Sequence, residues 1–180
     1  MGLQRLVSAP RRSLVMVDEG VLPFRAEAVL RALADVESYR EWWPAPLRFV
    51  AHPSGPAGDR ARVRITAGRL LSWTVSVAAV GPDQVDAAFS EGSWDGEARW
   101  TLRPVTEGTA AVLRVEVDPV PRWLRLAVRW RNPTRRHSRR MRTVFEALRR
   151  RLGAQGEERV PEPGPPGAVT PAGSPSRPSV

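Results

Sequence analysis

The chain has 180 residues, of which 42% are hydrophobic, so it is long enough for one domain with a substantial core and too short for a second. It contains no cysteine, which excludes a disulfide framework, a thiolate nucleophile and a thiolate metal site. The formal net charge is +9 and all 28 basic residues are arginine, so the position of the charge is more informative than its total.

The N-terminal residues and the hydropathy of the chain predict a soluble protein. The start of the chain lacks the continuous apolar run of a signal peptide. Nowhere do about 18 apolar residues follow one another, as a membrane-spanning helix requires. Leu6 stands where a myristoylation motif has serine or threonine. We therefore expect a cytoplasmic protein without a lipid anchor.

The first predicted elements are a weakly alternating strand, an amphipathic helix, and a turn or second short helix. In the strand, either Leu14 and Met16 or the residues between them face inward. Pro23 marks the turn into the first helix, and Pro44 ends the third element. These three elements cover residues 12–21, 24–36 and 37–44.

The middle of the chain alternates apolar and polar residues over successive segments, with no helical pattern between them. Such alternation is typical of antiparallel strands with one buried face and one wetted face. The predicted strands are Leu47–Ala51, Arg60–Ala67, Leu70–Val80 and three later segments centred on Ala87, Trp100 and Leu113.

The segment from Arg122 to Leu152 carries the strongest helical pattern, with one apolar stripe that is interrupted at Asn132-Pro133. Asn132 is placed to cap a helix that begins at Pro133, and Gly153 is placed to end it in a left-handed conformation. The opposite face is cationic, because twelve arginines stand against the single acid Glu146, a net charge of +11. The stripe consists of Trp123, Leu126, Ala127, Trp130, His137, Met141, Val144, Phe145, Leu148 and Leu152.

The composition divides the chain into three regions. Residues 1–11 are an N-terminal extension, and residues 12–152 form the single domain. Residues 153–180 hold seven prolines, five glycines and almost no large apolar residue, which predicts a disordered tail. This tail is either a passive extension or an interaction segment.

The order of the elements predicts an α+β fold of about six to seven strands and a long C-terminal helix. A long antiparallel sheet with one apolar face needs a cover, and the final helix is matched in length to the strands. We therefore expect the sheet to curl around the apolar stripe of that helix.

Two stretches of the sequence resemble the START-like superfamily, also called SRPBCC or Bet v 1-like. Residues 21–44, which end in Trp-Trp-Pro, are similar to its opening strand, helix and turn. Residues 96–104 and the following Glu-Gly-Thr at 107–109 are similar to the late hairpin of its polyketide cyclase/dehydrase and lipid-transport branch. The resemblance covers residues 12–152.

This resemblance implies a helix-grip fold with a hydrophobic cavity between the curved sheet and the C-terminal helix. Members of the superfamily bind lipids, sterols, polyketides or other apolar molecules, and some catalyse cyclisation or dehydration. It therefore implies a small hydrophobic ligand, and the sequence gives no sign of a cofactor.

The residues of the predicted sheet support a cavity independently, because many inward positions are small and leave a hollow unless the helix fills it. The small inward residues are Ala61, Ala67, Ala79, Ala87, Gly96, Ala98 and Ala111. The candidate ligand-binding residues are Trp73, Phe89, Trp100, Trp130, His137, Met141, Val144 and Phe145. The alternative is that the large side chains pack as ordinary core and fill the space completely.

His137 is the main candidate for chemistry, because it lies on the apolar stripe one turn before Met141. A histidine there can orient a ligand carbonyl or hydroxyl, or act as general acid or base near neutral pH. The alternative is a packed histidine that hydrogen-bonds a backbone carbonyl. Glu91 shares the inward parity of its strand and would reach the cavity mouth unless it is solvated. Two weaker candidates are Asp95 and Tyr39 at the rim, whereas His52 precedes Pro53 in a loop and is expected to face solvent.

Three other chemistries find no support in the sequence. A metal site would need carboxylates at a suitable spacing beside the two histidines, and no such spacing occurs. No glycine-rich phosphate loop follows a predicted strand. No serine stands on a nucleophile elbow with a histidine and an acid in support.

The arginine face of the last helix has three interpretations. Its candidate residues for an anionic surface are Arg135, Arg136, Arg139 and Arg142. They can attract anionic lipid headgroups, contact a nucleic-acid backbone, or simply form a solvated face. Nucleic acid is the least favoured partner, because single-strand binding wants exposed aromatic residues and the stripe places Trp123 and Trp130 on the buried side.

The sequence therefore favours a non-catalytic protein that binds or transports a small hydrophobic ligand such as a lipid or polyketide. A cyclase or dehydratase that uses His137 as general acid or base is the alternative. Binding to an anionic membrane or to nucleic acid through the arginine-rich helix is a second alternative. Ligand identity and oligomeric state are left open.

Overall fold

The computed structural model describes residues 13–51, 61–130, 133–157 and 159–160, without the side chains of Ala51, Trp130, Pro133 and Thr134. Within these ranges no helix has the length and apolarity needed to cross a membrane. The predicted N-terminal extension, the cap at Asn132 and the tail beyond residue 160 lie outside the described residues.

Within the described ranges, seven strands form one curled antiparallel sheet, as the alternating segments predicted. The order across the sheet is β1-β7-β6-β5-β4-β3-β2, so β1 and β2 are the edge strands. Each pair of neighbours is antiparallel. The strands are β1 Leu14–Leu22, β2 Leu47–Ala51, β3 Arg62–Ala67, β4 Leu71–Val80, β5 Gln84–Ser90, β6 Trp94–Val105 and β7 Gly108–Pro119.

The inner face of the sheet is the apolar face, and the predicted side-chain parity is confirmed for most strands. In β1, Met16 is buried while Val15 and Val17 are exposed, which settles the parity that the sequence left open. Ala79 is a correction, because a bulge after Val77 shifts the register of β4 by one residue. A one-residue shift moves a side chain to the opposite face, so Ala79 is exposed.

In the described part of the chain, four helices accompany the sheet. Two short helices follow β1 and are joined by a 3₁₀ turn over Val36–Ser38, and two helices follow β7. The helices are α1 Ala26–Ala34, α2 Tyr39–Trp42, α3 Arg122–Trp130 and α4 Pro133–Ala154. Strand β1 thus runs into two short helices, and a long helix ends the fold.

Helix α4 begins at Pro133 as predicted but ends later than expected. The helix passes through Gly153, and the left-handed residue is Gly156, with φ 73°. The Glu157 amide donates to the Leu152 carbonyl at 3.2 Å, which closes the helix end. The prediction that Gly153 ends the helix was therefore wrong. The helix continues to Ala154, and the amides that follow it satisfy the free carbonyls of the last turn.

Helix α3 breaks the single buried stripe that the sequence predicted for residues 122–152. Leu124 is buried, whereas Trp123 and Leu126 are exposed. The Arg125 guanidinium donates to the Pro119 and Val120 carbonyls at 3.0 and 2.9 Å and holds α3 against the end of β7. Since α3 and α4 are separate helices, their apolar faces need not align, and the prediction that Trp123 is buried was wrong.

The core lies between the sheet and the inner face of α4. Phe145 of α4 packs edge-on against Trp100 of β6, with ring centroids 5.9 Å apart. A methyl group on Gly20 of β1 would lie only 2.7 Å from the Phe145 ring, so a glycine is needed for this close approach. The curled sheet and the long helix confirm the predicted α+β helix-grip architecture.

Candidate ligand site

The interior side chains fall into two groups that differ in how completely they are enclosed. Residues where α4 meets β1 and α1, such as Leu148, Val144 and Leu22, are 0% exposed. On the inner face of the sheet, Trp73 and Ala98 each keep 8% exposure. Further inward residues that are only partly buried include Phe49, Ala67, Leu71, Ala87 and Phe89. The inner face therefore combines enclosed positions, such as Val63 and Val85 at 1% exposure, with the partly accessible positions around Trp73 and Phe89.

The predicted ligand-binding residues lie in both parts of the interior. Trp73, Trp100 and Phe145 are buried with a small residual exposure, and Phe89 is partly buried. Met141 and Val144 are almost or fully enclosed. The side chain of Trp130 lies outside the described residues. The structure thus brings the sheet aromatics and α4 to one interior, and their contact with a ligand stays a prediction.

Trp73 holds an unused hydrogen-bond donor on this inner face. Its indole Nε1 is buried and has no hydrogen-bond partner among the described residues. The indole nitrogens of Trp42 and Trp43, which stack around Tyr39, are in the same state. A buried N–H without a partner is costly by about 1–3 kcal/mol, so such a group often serves a ligand or an ordered water.

His137 is paired with a carboxylate that the sequence analysis did not consider. Nδ1 of His137 lies 2.7 Å from Oδ2 of Asp18, whose side chain is buried on the inner face of β1. This pairing fixes the orientation of the imidazole ring, and no hydrogen-bond partner for Nε2 occurs among the described residues. A carboxylate, an oriented imidazole and a free ring nitrogen form the arrangement used in general acid–base catalysis.

Asp18 was missed because the parity of the first strand was left open. Once Met16 is known to face inward, the period of two places Asp18 and Gly20 on the same face. Because an aspartate on an apolar face needs a partner, the inward position of Asp18 would have indicated a polar contact inside the domain. The pair is separated by 119 residues of sequence, so only the tertiary structure supplies the contact with His137.

Glu91 does not point into the interior, which agrees with the solvated alternative and removes the one at the cavity mouth. Its backbone has φ 53°, a left-handed conformation that breaks the alternation of β5. Its carboxylate accepts from Thr74 Oγ1 at 3.0 Å and lies 3.8 Å from Arg62, both on the outer face.

The two weaker candidates at the rim, Tyr39 and Asp95, do not form part of the interior site. The Tyr39 hydroxyl is buried and donates to the Leu33 carbonyl at 2.7 Å, so it serves the core between α1 and α2. Burial, with a smaller effect from Asp35, raises the pKa of Tyr39 above its ordinary range. Asp95 is exposed, and His52 lies outside the described residues.

The predicted arginine face is solvent-exposed along the first half of α4. Its four candidate residues are Arg135, Arg136, Arg139 and Arg142. Arg140 is partly buried beside them, and burial together with the charge of Arg136 lowers its pKa. The main cause is the burial of the guanidinium, which disfavours its charged form, and the neighbouring charge of Arg136 adds to it.

A groove of about 390 Å³ lies elsewhere, between α1 and the C-terminal end of α4. Its arginines are already engaged, because Arg31 contacts Glu157 at 2.8 Å and Arg151 contacts Glu41 at 2.9 Å. It is separated from His137 by about four turns of α4, or roughly 20 Å. The groove is lined by Ala28, Arg31, Ala32, Asp35, Arg151, Gln155 and Glu157. It is therefore distinct from the predicted cavity.

No cluster of three or more histidine, aspartate or glutamate side chains that would hold a metal ion occurs in the described part of the chain. Among the described residues, the Asp18–His137 pair and the indole of Trp73 are the polar groups considered for contact with a ligand between the sheet and α4.

The sequence matches a known family profile along most of its length. The profile described as polyketide cyclase / dehydrase and lipid transport matches residues 17–153. A comparison with curated proteins gave no match.

Solved structures share the same fold. A protein from Thermus thermophilus is 21% identical with a TM-score of 0.62, covering 80% of this chain and all of that one. The Zhui aromatase/cyclase of a Streptomyces species is 14% identical with a TM-score of 0.59, over 81% of this chain and 97% of that one. A START superfamily protein from Mycobacterium smegmatis is 17% identical with a TM-score of 0.54, over 79% and 98%. At these identities the likeness establishes the fold alone.

Proposed function

Because the chain belongs to the polyketide cyclase/dehydrase and lipid-transport family, we propose that it binds a small apolar ligand between the curled sheet and α4. The observation that carries this proposal is the residual exposure of the inner face. Trp73 and Ala98 keep accessible surface, whereas Leu148 and Val144 in the same core keep none. Apolar surface that stays accessible inside a domain is the usual lining of a ligand site.

The polar groups of the interior define which apolar ligand fits best. Trp73 Nε1 can only donate a hydrogen bond, and it is buried without a partner among the described residues. The imidazole of His137, held by Asp18, offers its second nitrogen. A ligand with an apolar body and a carbonyl or hydroxyl oxygen satisfies both groups, whereas a plain hydrocarbon leaves the indole N–H unpaired.

Calorimetric titration with two matched probes tests this proposal. We expect the protein to bind both 2-acetylnaphthalene and 2-ethylnaphthalene, and to bind the ketone more tightly. The Trp73→Phe variant should lose about fivefold to tenfold in affinity for the ketone only, the value of one hydrogen bond. Binding of neither probe, together with no small molecule in native mass spectra of the purified protein, would remove the binding proposal.

A cyclase or dehydratase activity is the second candidate, and the Asp18–His137 pair is the observation that favours it. His137 Nε2 would take a proton from the acidic carbon between two carbonyls of a poly-β-ketone, and the resulting enolate would attack a carbonyl carbon of the same chain. The proton would return to the new alkoxide. In the dehydration, Nε2 would remove the remaining hydrogen of the same carbon and deliver it to the hydroxyl, which would leave as water as the carbon–carbon double bond forms. Asp18 would orient the ring and stabilise the imidazolium formed in between.

Turnover of a model poly-β-ketone distinguishes the two candidates. If the enzyme proposal holds, His137→Ala abolishes turnover while affinity for 2-acetylnaphthalene falls by no more than about tenfold, the value of one hydrogen bond, and Asp18→Asn lowers turnover by about a hundredfold. Trp73→Phe is the matched control, because it alters binding but removes no proton-transfer group. No turnover by the parent protein, or unchanged turnover in His137→Ala, would remove the enzyme candidate and leave ligand binding as the proposed function.

A further inference from the structure

An exposed apolar patch lies at the junction of β7 and α3. Val120, Trp123 and Leu126 are 43%, 50% and 60% exposed, and together we call them the α3 patch. Trp123 and Leu126 are three residues apart, so they share one face of the helix. Single exposed apolar residues are common on proteins, but adjacent ones mark a contact surface.

The charge of α3 and of the first half of α4 has a single sign, whereas Asp118 and its cross-strand neighbour Asp95 lie near Val120 at the end of β7. No aspartate or glutamate occurs from residue 121 to residue 145, whereas nine arginines do. Arg122 and Arg129 of α3 are exposed, as are Arg136 and Arg139 of α4. The outer face of β1 also exposes valines, but the charges beside them, Arg114 and Glu116, form an ion pair and cancel.

A tryptophan, a leucine and several arginines on one short amphipathic helix suit the interface of an anionic bilayer. The indole ring and the aliphatic side chain enter the boundary between headgroups and acyl chains, and the arginines contact the anionic headgroups. A nucleic-acid backbone would match the positive charge of the arginines, but the aliphatic side chains of Val120 and Leu126 cannot stack on bases. The combination of aliphatic and cationic side chains therefore selects a lipid surface.

The patch lies at the end of the sheet where the β5–β6 turn and the start of β4 meet. The Val120 amide donates to the Ser93 carbonyl at 3.0 Å, and the Ser93 amide donates to the Ser72 carbonyl at 2.7 Å. Trp73 is the next residue along β4, and His137 lies near the start of α4. The α3 patch therefore lies beside the end of the interior that contains Trp73.

We propose that α3 docks the protein on anionic membranes by inserting Trp123 and Leu126 into the bilayer interface. The arginines of α3 and of the first half of α4 supply the electrostatic attraction. This docking does not require that the interior bind a ligand, so the two proposals can fail separately.

Sedimentation of the full chain with lipid vesicles tests the docking. We expect binding to vesicles of phosphatidylcholine mixed with phosphatidylglycerol, and much weaker binding to phosphatidylcholine alone. Trp123→Ala and Leu126→Ala should each lower the partition coefficient about tenfold. Val17→Ala is the matched control, because Val17 is similarly exposed on the outer face of β1, and it should bind like the parent. Thermal melts should be nearly the same for all variants, since the replaced side chains are exposed.

Four results would overturn the docking proposal. The first is equal sedimentation of the parent, Trp123→Ala and Leu126→Ala proteins. The second is equal binding to neutral and anionic vesicles, since that contradicts the role of charge. The third is binding to a single-stranded oligonucleotide in the absence of vesicle binding. The fourth is a dimer in solution that dissociates in Trp123→Ala, because the patch would then be covered by a second copy of the chain.

Discussion

Replacing alanine by leucine at two inner-face positions separates a hollow interior from a solid core. Ala98 of β6 keeps 8% exposure, and its cross-strand neighbours are Ala87 and Val115. Ala111 of β7 is fully enclosed and lies opposite Gly20 of β1. The two alanines face the same interior but differ in exposure. The same substitution is therefore expected to meet different packing at the two positions.

The expected effects have opposite signs. Ala98→Leu adds three carbon atoms, and at about 0.8 kcal/mol per buried methylene group their burial adds at most about 2 kcal/mol to the free energy of unfolding. Ala111→Leu must instead displace packed neighbours, which costs about 1–3 kcal/mol. The added leucine at position 98 also occupies the space proposed for the ligand.

Urea denaturation followed by tryptophan fluorescence measures both free energies, and calorimetric titration with 2-ethylnaphthalene measures the loss of binding. We expect Ala98→Leu to be at least as stable as the parent and to bind the probe at least about tenfold more weakly. Equal destabilisation by both substitutions would refute the hollow, because it would mean that Ala98 is packed as tightly as Ala111.

Three further predictions concern the packing and the pH dependence of the fold. Gly20→Ala should lower the free energy of unfolding by about 1–3 kcal/mol, because the new methyl group meets the Phe145 ring at 2.7 Å. In urea denaturation, adding Phe145→Leu to the same chain should recover part of that loss. Gly156→Ala should cost about 1 kcal/mol through its φ of 73° alone, since nothing lies within 4 Å of the added methyl group, and a melt that matches the parent would contradict the left-handed helix end. Burial raises the pKa of Tyr39, so its contribution to stability is complete below the ordinary tyrosine pKa of about 10 and is lost as the pH rises through the folded-state value. Because Tyr39 is the only tyrosine, tyrosinate absorbance should develop in alkali only as the protein unfolds, and absorbance without unfolding would contradict its burial.

The strands and the long helix were predictable because their side-chain periods are local properties. A period of two along β6 and β7, and a helical period along α4, require no knowledge of the partner element. The inward positions of β6 and β7 followed directly, with Ala98, Trp100 and Leu113 all buried.

The errors arose where the backbone interrupts a regular period. The bulge after Val77 reversed Ala79, and the left-handed φ of Glu91 turned its carboxylate toward the outer face. Neither interruption has a glycine or proline at that position to announce it. The break between α3 and α4 turned Trp123 and Leu126 toward solvent in the same way.

The sequence alone determined the order of the elements, the apolar face of most strands and the arginine content of the last two helices, because these depend on neighbours a few residues apart. Only the tertiary structure decided that Asp18 meets His137 across 119 residues, that Gly20 lies under Phe145, and that the apolar side of α3 faces solvent. Such contacts depend on how distant elements are placed against one another, and that placement is set by the packing of the whole core.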